Sequence, residues 1–177
     1  MSDTVRIAVF TSSDTRTRAD DVGGKLLKDK LEAAGFTVVL HDIVREDRDS
    51  LREAMHHTCD LGVADAIVLT GGTGIAPRDR TIEVLQPMFE KTIDGFGEAF
   101  RRLSWDAIGP RAILSRAVAG VLRGHVVIAL PGSPQAVELA VDTLIAPTLR
   151  HAVALAKGRG GKHAAHGHHH HAPAKQG

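Results

Sequence analysis

Ala66-Ile67-Val68-Leu69-Thr70-Gly71-Gly72-Thr73-Gly74 is the stretch on which the fold turns. Its four-residue apolar run reads as a short buried strand, and it passes without a linker into a glycine-rich loop. Working outward, Val5-Arg6-Ile7-Ala8-Val9-Phe10 is a second buried strand, rich in β-branched residues, that ends in polar Thr11-Ser12-Ser13-Asp14. Phe36 to Val44 is a third. Between the strands, Asp20 to Ala34 places Val22, Leu26, Leu27 and Leu31 on one helical face, closed by Gly35. Asp49 to Leu61 carries Leu51, Ala54, Met55 and Thr58 at helical spacing. This β-α-β-α-β rhythm predicts an α/β fold, a parallel sheet with helices on both faces.

Beyond the loop, Thr81 to Lys91 and Gly95 to Ser104 read as two short helices, and Ala112 to Leu122 is ambiguous. Arg123-Gly124-His125 resembles a turn into the strand Val126 to Leu130. Ser133 then caps a long last helix with Pro134 at its first position, running to about Ala156 with a bend expected at Pro147. From Lys157 the composition shifts to Gly, Lys, His and Ala without apolar periodicity, which predicts a disordered tail.

The bulk numbers fit one domain plus that tail: 177 residues, 43% hydrophobic and 24% charged. A formal net charge of +1 is too small for sequence-independent nucleic-acid binding. With no tyrosine and a single tryptophan, an aromatic base-stacking platform is also unexpected. Cys59 is the only cysteine, which rules out an intramolecular disulfide and a cysteine-rich zinc site. The N-terminus lacks the basic region of a secretory signal, and no apolar stretch approaches the length needed to cross a bilayer. A cytoplasmic protein with no membrane partner is expected.

Ligands of an open parallel sheet collect at the carboxyl ends of its strands. Three turns fall there: Thr11 to Asp14, Thr70 to Gly74, and Pro131-Gly132-Ser133-Pro134. Gly71, Gly72 and Gly74 permit positive φ and close backbone approach, and the loop's N–H groups suit an anion. The pattern is neither a P-loop nor a dinucleotide fingerprint, so a tight turn and a phosphate cradle both explain it. Downstream, Thr81 has a ready role as a helix N-cap. Asp79 is either a solvated loop acid or a carboxylate for an Mg²⁺–nucleotide site. Glu46 and Asp47 follow the second strand and offer a further carboxylate, although Arg45 and Arg48 alternate with them and Asp49 looks like a helix cap.

Ser115-Arg116 and Ser133 are candidate phosphate or carboxylate ligands, and Ser133 is equally explained as a cap. Gly95-Phe96-Gly97-Glu98 interrupts a helical pattern, which suggests a kink that admits a ligand. Cys59 reads as packed rather than reactive. The scattered His41, His56, His57, His125 and His151 show no metal spacing. The cluster His163, His166 and His168 to His171 suits Ni²⁺, Cu²⁺ or Zn²⁺, and equally a solvated tail or a cloning remnant.

On these residues the chain resembles the MoaB/MogA family of molybdenum cofactor biosynthesis proteins, related to the gephyrin G domain. The matching elements are Ser12-Ser13-Asp14, Thr70-Gly71-Gly72-Thr73-Gly74, Arg78-Asp79-Arg80-Thr81, Gly95-Phe96-Gly97-Glu98, Ser115-Arg116 and Leu130-Pro131-Gly132-Ser133. They occur in family order over roughly residues 5 to 155, and the Phe96 to Arg101 and Ser115 to Val121 stretches are closer to the MoaB branch. The resemblance implies a three-layer α/β/α sandwich with a mostly parallel sheet, and a molybdopterin-binding domain over residues 1–156. It also implies assembly as a homotrimer or homohexamer, with other proteins of the pathway as partners.

The implied activity is Mg-ATP-dependent adenylylation of molybdopterin with release of pyrophosphate. Under it, Asp79, with Glu46 or Asp47, handles catalytic Mg²⁺, while ATP and molybdopterin lie among the remaining motif residues. These include Arg80, Thr81, Gly97, Glu98, Pro131 and Gly132. Where the family carries Pro-Asp and an acid after the second strand, this chain reads Arg45-Glu46-Asp47. A non-catalytic molybdopterin-binding protein of the same pathway is the alternative that this departure raises.

Overall fold

A computed structural model of the chain describes residues 4–159. Six strands form one sheet in the order β2-β1-β3-β6-β5-β4. They are β1 (Arg6–Ser12), β2 (Thr37–Val44), β3 (Ala66–Thr70), β4 (Lys91–Thr92), β5 (Val118–Leu122) and β6 (His125–Leu130). β2, β1, β3 and β6 pair in parallel, whereas β5 is antiparallel to both β6 and β4. The sheet is therefore mostly parallel, as expected. The ambiguous Ala112 to Leu122 stretch resolves into a 3-10 segment, Gly109–Leu114, followed by β5.

Side chains alternate across the sheet, so each strand feeds two cores. Ile7, Val9, Val68, Val126 and Ile128 face one side. There they pack on Leu27 and Leu31 of α1 (Val22–Ala33), Phe100 of α4 (Asp94–Ile108), Val137 of α5 (Pro134–Ala140) and Leu149 of α6 (Ala146–Ala156). Ala8, Phe10, Ile67, Leu69 and Val127 face the other, against Leu51 and Met55 of α2 (Arg48–Leu61) and Val84 and Leu85 of α3 (Thr81–Leu85). The result is the three-layer α/β/α sandwich.

Several local expectations are corrected. Asp47, not Asp49, caps α2: its carboxylate accepts from Ser50 N at 2.8 Å. Thr81 is the first residue of α3 rather than its cap, and its hydroxyl is used elsewhere. The helix expected to reach Lys91 stops at Leu85, with a 3-10 turn to Met88 and then the two-residue strand β4. α4 runs as one unbroken helix through Gly95-Phe96-Gly97-Glu98, which do not interrupt it.

Pro134 to Ala156 form one helical run in which a π turn, Val141–Ile145, stands just before Pro147. Proline lacks the N–H and crowds the carbonyl four residues back, so the backbone widens there. These 23 residues are long and apolar enough to cross a bilayer by length and composition, contrary to expectation. Here their apolar side lies on the sheet through Val137, Ala140, Val141, Ile145 and Leu149. The tail expected from Lys157, with its histidine cluster, lies outside the described residues from 160 onward.

Below the sheet, Asp65 fastens the termini of the domain. It accepts from Arg6 N (2.8 Å) and from the Arg6 guanidinium, and it pairs with Lys157 Nζ. Burial pushes its carboxyl up, but hydrogen bonds from Arg6 and Lys157 outweigh that and hold it well below the usual carboxylate range.

Candidate functional site

Register brings three turns to one edge. Thr11 pairs with Thr70 and Thr70 with Leu130, so the segments after β1, β3 and β6 leave the sheet side by side. Gly71 N donates to the Leu130 carbonyl at 3.0 Å, which ties the glycine loop to β6. Between these turns lies a cavity of about 600 Å³, to whose lining the 3-10 segment contributes Arg111 and Leu114.

The loop needs its glycines for two different reasons. Gly71 and Gly72 have φ of +94° and +62°, a region that disfavours side chains. They are also crowded: a Cβ on Gly71 would stand 2.5 Å from the Ser12 carbonyl oxygen, and one on Gly72 would stand 2.7 Å from Glu46 Oε1 and collide with Thr81 Oγ1. Gly74 does not take positive φ, contrary to expectation. Its missing Cβ makes room for Asp79, whose Oδ2 would lie 2.5 Å away.

Two carboxylates thus flank the loop. Asp79 Oδ2 accepts from Ala76 N at 2.8 Å, which closes the turn that carries it. Glu46 is 9% exposed, and its carboxylate takes no hydrogen bond from the described residues. Its backbone N donates to Asp14 Oδ1 at 3.0 Å. Burial, then the charges of Asp14 and Asp79, raise the Glu46 carboxyl above its ordinary value, with Arg78 opposing. Thr81 is fully buried beneath the loop, with Oγ1 at 3.0 Å from both Ser12 Oγ and the Gly71 carbonyl. Since a carbonyl only accepts, Thr81 donates to Gly71 and accepts from Ser12. Ser115 and Arg116 line the same cavity, and Arg116 is held by Glu83. Burial pushes the Glu83 carboxyl up, but the Arg116 hydrogen bond and a backbone one leave it below its ordinary value.

A family model described as a probable molybdopterin binding domain matches residues 8–151, which span this whole edge of the sheet. The chain belongs to the MoaB/MogA family of molybdenum cofactor biosynthesis proteins. It is 47% identical over 152 residues to Molybdenum cofactor biosynthesis protein B of Bacillus subtilis (strain 168), covering 85% of this chain and 89% of that one. Among solved structures, the tungsten cofactor synthesizing protein MoaB from Pyrococcus furiosus superposes with a TM-score of 0.80 at 34% identity, over 89% of this chain and 99% of that one. A MogA structure gives 0.75 at 32% identity, over 85% and 99%. The chain functions in molybdenum cofactor biosynthesis and stands on the MoaB side of the family.

In this MoaB-type fold the residues singled out from the sequence separate into groups. Ser12, Ser13, Asp14, Glu46, Thr70 to Gly74, Asp79, Ser115, Arg116, Pro131 and Gly132 surround the cavity. Asp47 and Arg80 instead line a smaller adjoining pocket, where Asp47 is held by Ser50 N and Oγ. Ser133 caps α5, its Oγ accepting from Ala136 N at 3.3 Å, and borders a groove along α4 and α5 rather than the cavity.

Gly97 and Glu98 do not reach the MoaB-type cavity. A Cβ on Gly97 would stand 2.6 Å from the Ala117 carbonyl, so this glycine seats α4 against the chain entering β5, and Glu98 is exposed on that helix. The place of Gly97 in the family pattern is explained by packing.

The cavity also contains Arg78 of the Arg78-Asp79-Arg80-Thr81 motif, and residues that the sequence did not single out: Arg16, Asp21, Ile108, Arg111 and Leu114. Asp21 is 4% exposed and accepts from Thr11 Oγ1 at 2.7 Å and Gly24 N at 2.9 Å, with His41 Nε2 at 3.4 Å. Its position before an apolar helical face was the available signal for a cap. The 3-10 segment that brings Arg111 and Leu114 has no periodic signature.

Proposed function

We propose that the chain catalyses adenylylation of molybdopterin with Mg-ATP. The observation that carries this reading is the pair Glu46 and Asp79, two carboxylates packed against the glycine loop at Gly72 and Gly74 and lining one cavity with Arg78, Arg111 and Arg116. In the reaction the terminal phosphate of molybdopterin attacks the α-phosphorus of ATP. A P–O bond forms there, the bond to the α–β bridging oxygen breaks, and its electron pair leaves on pyrophosphate. The substrate supplies the nucleophile, so the protein need only orient phosphates and balance charge.

The donor set fits a magnesium-bound nucleotide. Among the described residues, no three His, Cys, Asp or Glu side chains gather as a metal cage. Magnesium typically takes one or two carboxylates together with substrate phosphates and water, which matches Glu46 and Asp79. Glu46, desolvated and without a hydrogen-bond donor, is a carboxylate that gains from a cation. Asp47 is committed to the α2 cap, so Glu46 rather than Asp47 would complete the pair. Bound Mg²⁺ would neutralise phosphate charge and polarise the α-phosphorus. The loop N–H groups and Ser12 would fix the phosphates, and Ser115 with the Glu83-oriented Arg116 would hold the anionic end of the pterin.

The non-transferring binding protein remains the second reading, favoured by the same Glu46, whose longer side chain stands where the family places an aspartate. Pyrophosphate release, followed with Mg-ATP and authentic molybdopterin, separates the two. Stoichiometric release that requires molybdopterin and stops with a chelator supports transfer; tight molybdopterin binding without release supports the second reading.

We also infer that the chain assembles as a homotrimer or a hexamer of two trimers. Support comes from exposed Trp105, Ile113 and Leu114 and from an apolar groove of about 650 Å³ between β4, β5 and α6.

A further inference from the structure

Beside the main cavity, and sharing Asp14, Glu46 and Arg78 with it, is a second pocket of about 330 Å³. Arg45 and Arg48 enter it from the β2–α2 turn, and Arg78 and Arg80 enter from the turn after the glycine loop. Arg48, Arg78 and Arg80 have no ion pair among the described residues, and Arg45 reaches Asp14 and Asp47 only at 3.9 and 3.6 Å. Asp14, Glu46 and Asp47 line the same pocket and offset part of this charge, but none of them is ion-paired to Arg48, Arg78 or Arg80. Guanidinium groups converging on one concavity cost energy in the free protein. An anion placed among them removes that cost. Guanidinium forks match phosphate oxygens and bind them with charge-assisted hydrogen bonds.

The pocket's position selects the anion. It adjoins the main cavity at Asp14, Glu46 and Arg78, whereas Ser115 and Arg116 line the main cavity alone. A nucleotide whose α-phosphate lies at the Glu46–Asp79 pair would extend its β- and γ-phosphates into it. We propose that this arginine pocket is the subsite for the β,γ-diphosphate of the nucleotide, and hence for the leaving pyrophosphate. The proposal rests on the adenylyl-transfer reading for its catalytic meaning. When the α–β bridging P–O bond breaks, the electron pair and the added negative charge fall on pyrophosphate, and guanidinium groups around it stabilise that developing charge. Nothing is oxidised or reduced. The nucleotide's diphosphate supplies the leaving group, and the pterin phosphate supplies the oxygen that replaces it.

The test is titration calorimetry of the full chain with inorganic pyrophosphate and with AMP, each in Mg²⁺, comparing wild type with the R48Q/R80Q double variant. Both side chains are exposed and make no hydrogen bond among the described residues, so the fold should survive, which the circular dichroism spectrum and Tm check. The expected result is pyrophosphate binding that weakens at least about tenfold in the variant, while AMP, which lacks the β,γ-diphosphate, keeps its affinity. No pyrophosphate binding by wild type, equal affinity in both proteins, or an equal loss for AMP would overturn the proposal. The two levels stay distinguishable. Adduct formation with unchanged pyrophosphate affinity sinks the subsite alone, and arginine-dependent pyrophosphate binding without adduct sinks the transfer reading alone.

Discussion

Glu46 Oε1 stands so close over Gly72 that a single added methyl on that glycine would meet it at 2.7 Å. The acid and the loop are therefore one unit: the backbone that would carry phosphate contacts is shaped by the side chain that would carry the cation. Gly72→Ala strains φ at +62° and pushes on Glu46 and Thr81 together. We expect a loss of about 1–3 kcal/mol of stability in denaturant unfolding, with nucleotide affinity falling as well. Unchanged stability and affinity would contradict this coupling.

Glu46 should cost the free protein stability. Its folded carboxyl lies above the ordinary value, so the folded state binds that proton more tightly than the unfolded chain does. The stability penalty therefore grows as pH rises from the ordinary glutamate range through the raised value, and it is complete above that. Glu46→Gln should raise Tm at neutral pH, lose that advantage below about pH 4, and weaken Mg-nucleotide binding. The check is paired thermal melts across pH.

Asp65 acts in the opposite sense. Its carboxyl is held low in the fold, so its contribution is fully present above the ordinary aspartate range and is lost as pH falls through the lowered value. Asp65→Asn should destabilise by about 2 kcal/mol, less than a wholly buried pair because Arg6 is half exposed. Its unfolding curve should also become flatter toward acid pH. Denaturant titrations at pH 7 and below pH 3 measure both.

Cys59 is buried on α2, and that burial pushes its thiol up. A thiol reagent at pH 7 should label native protein far more slowly than urea-unfolded protein. Fast native labelling would contradict the packing of α2 on the sheet.

The sequence told most where one physical cause acted alone. β1, β3 and β6 are apolar on both faces because both are covered, and an uninterrupted run of that kind is legible without any partner. The glycine loop was legible as a turn, but the separate reasons for Gly72 and Gly74 were not, since one is set by φ and the other by Asp79. Gly97 was misread because a glycine that lets a helix approach the Ala117 carbonyl looks, in sequence, like a glycine that breaks a helix. Thr81 could be placed near a helix start. Its bonds to Ser12 and Gly71, across 69 and 10 residues, depend on register alone. β4 is two exposed residues held by pairing with β5, so no local pattern announces it. Arg111 and Leu114 enter the cavity from a 3-10 segment, whose side chains carry no amphipathic repeat.

The central claim is that Glu46 and Asp79 serve adenylyl transfer. Its most direct test is mass spectrometric detection of the AMP adduct of molybdopterin after incubation with Mg-ATP, for wild type and Asp79→Asn. The account predicts adduct from wild type and at least about a hundredfold less from the variant, as expected when a charge-stabilising group is removed. No adduct from folded wild type given authentic molybdopterin, or equal adduct from both proteins, would contradict it.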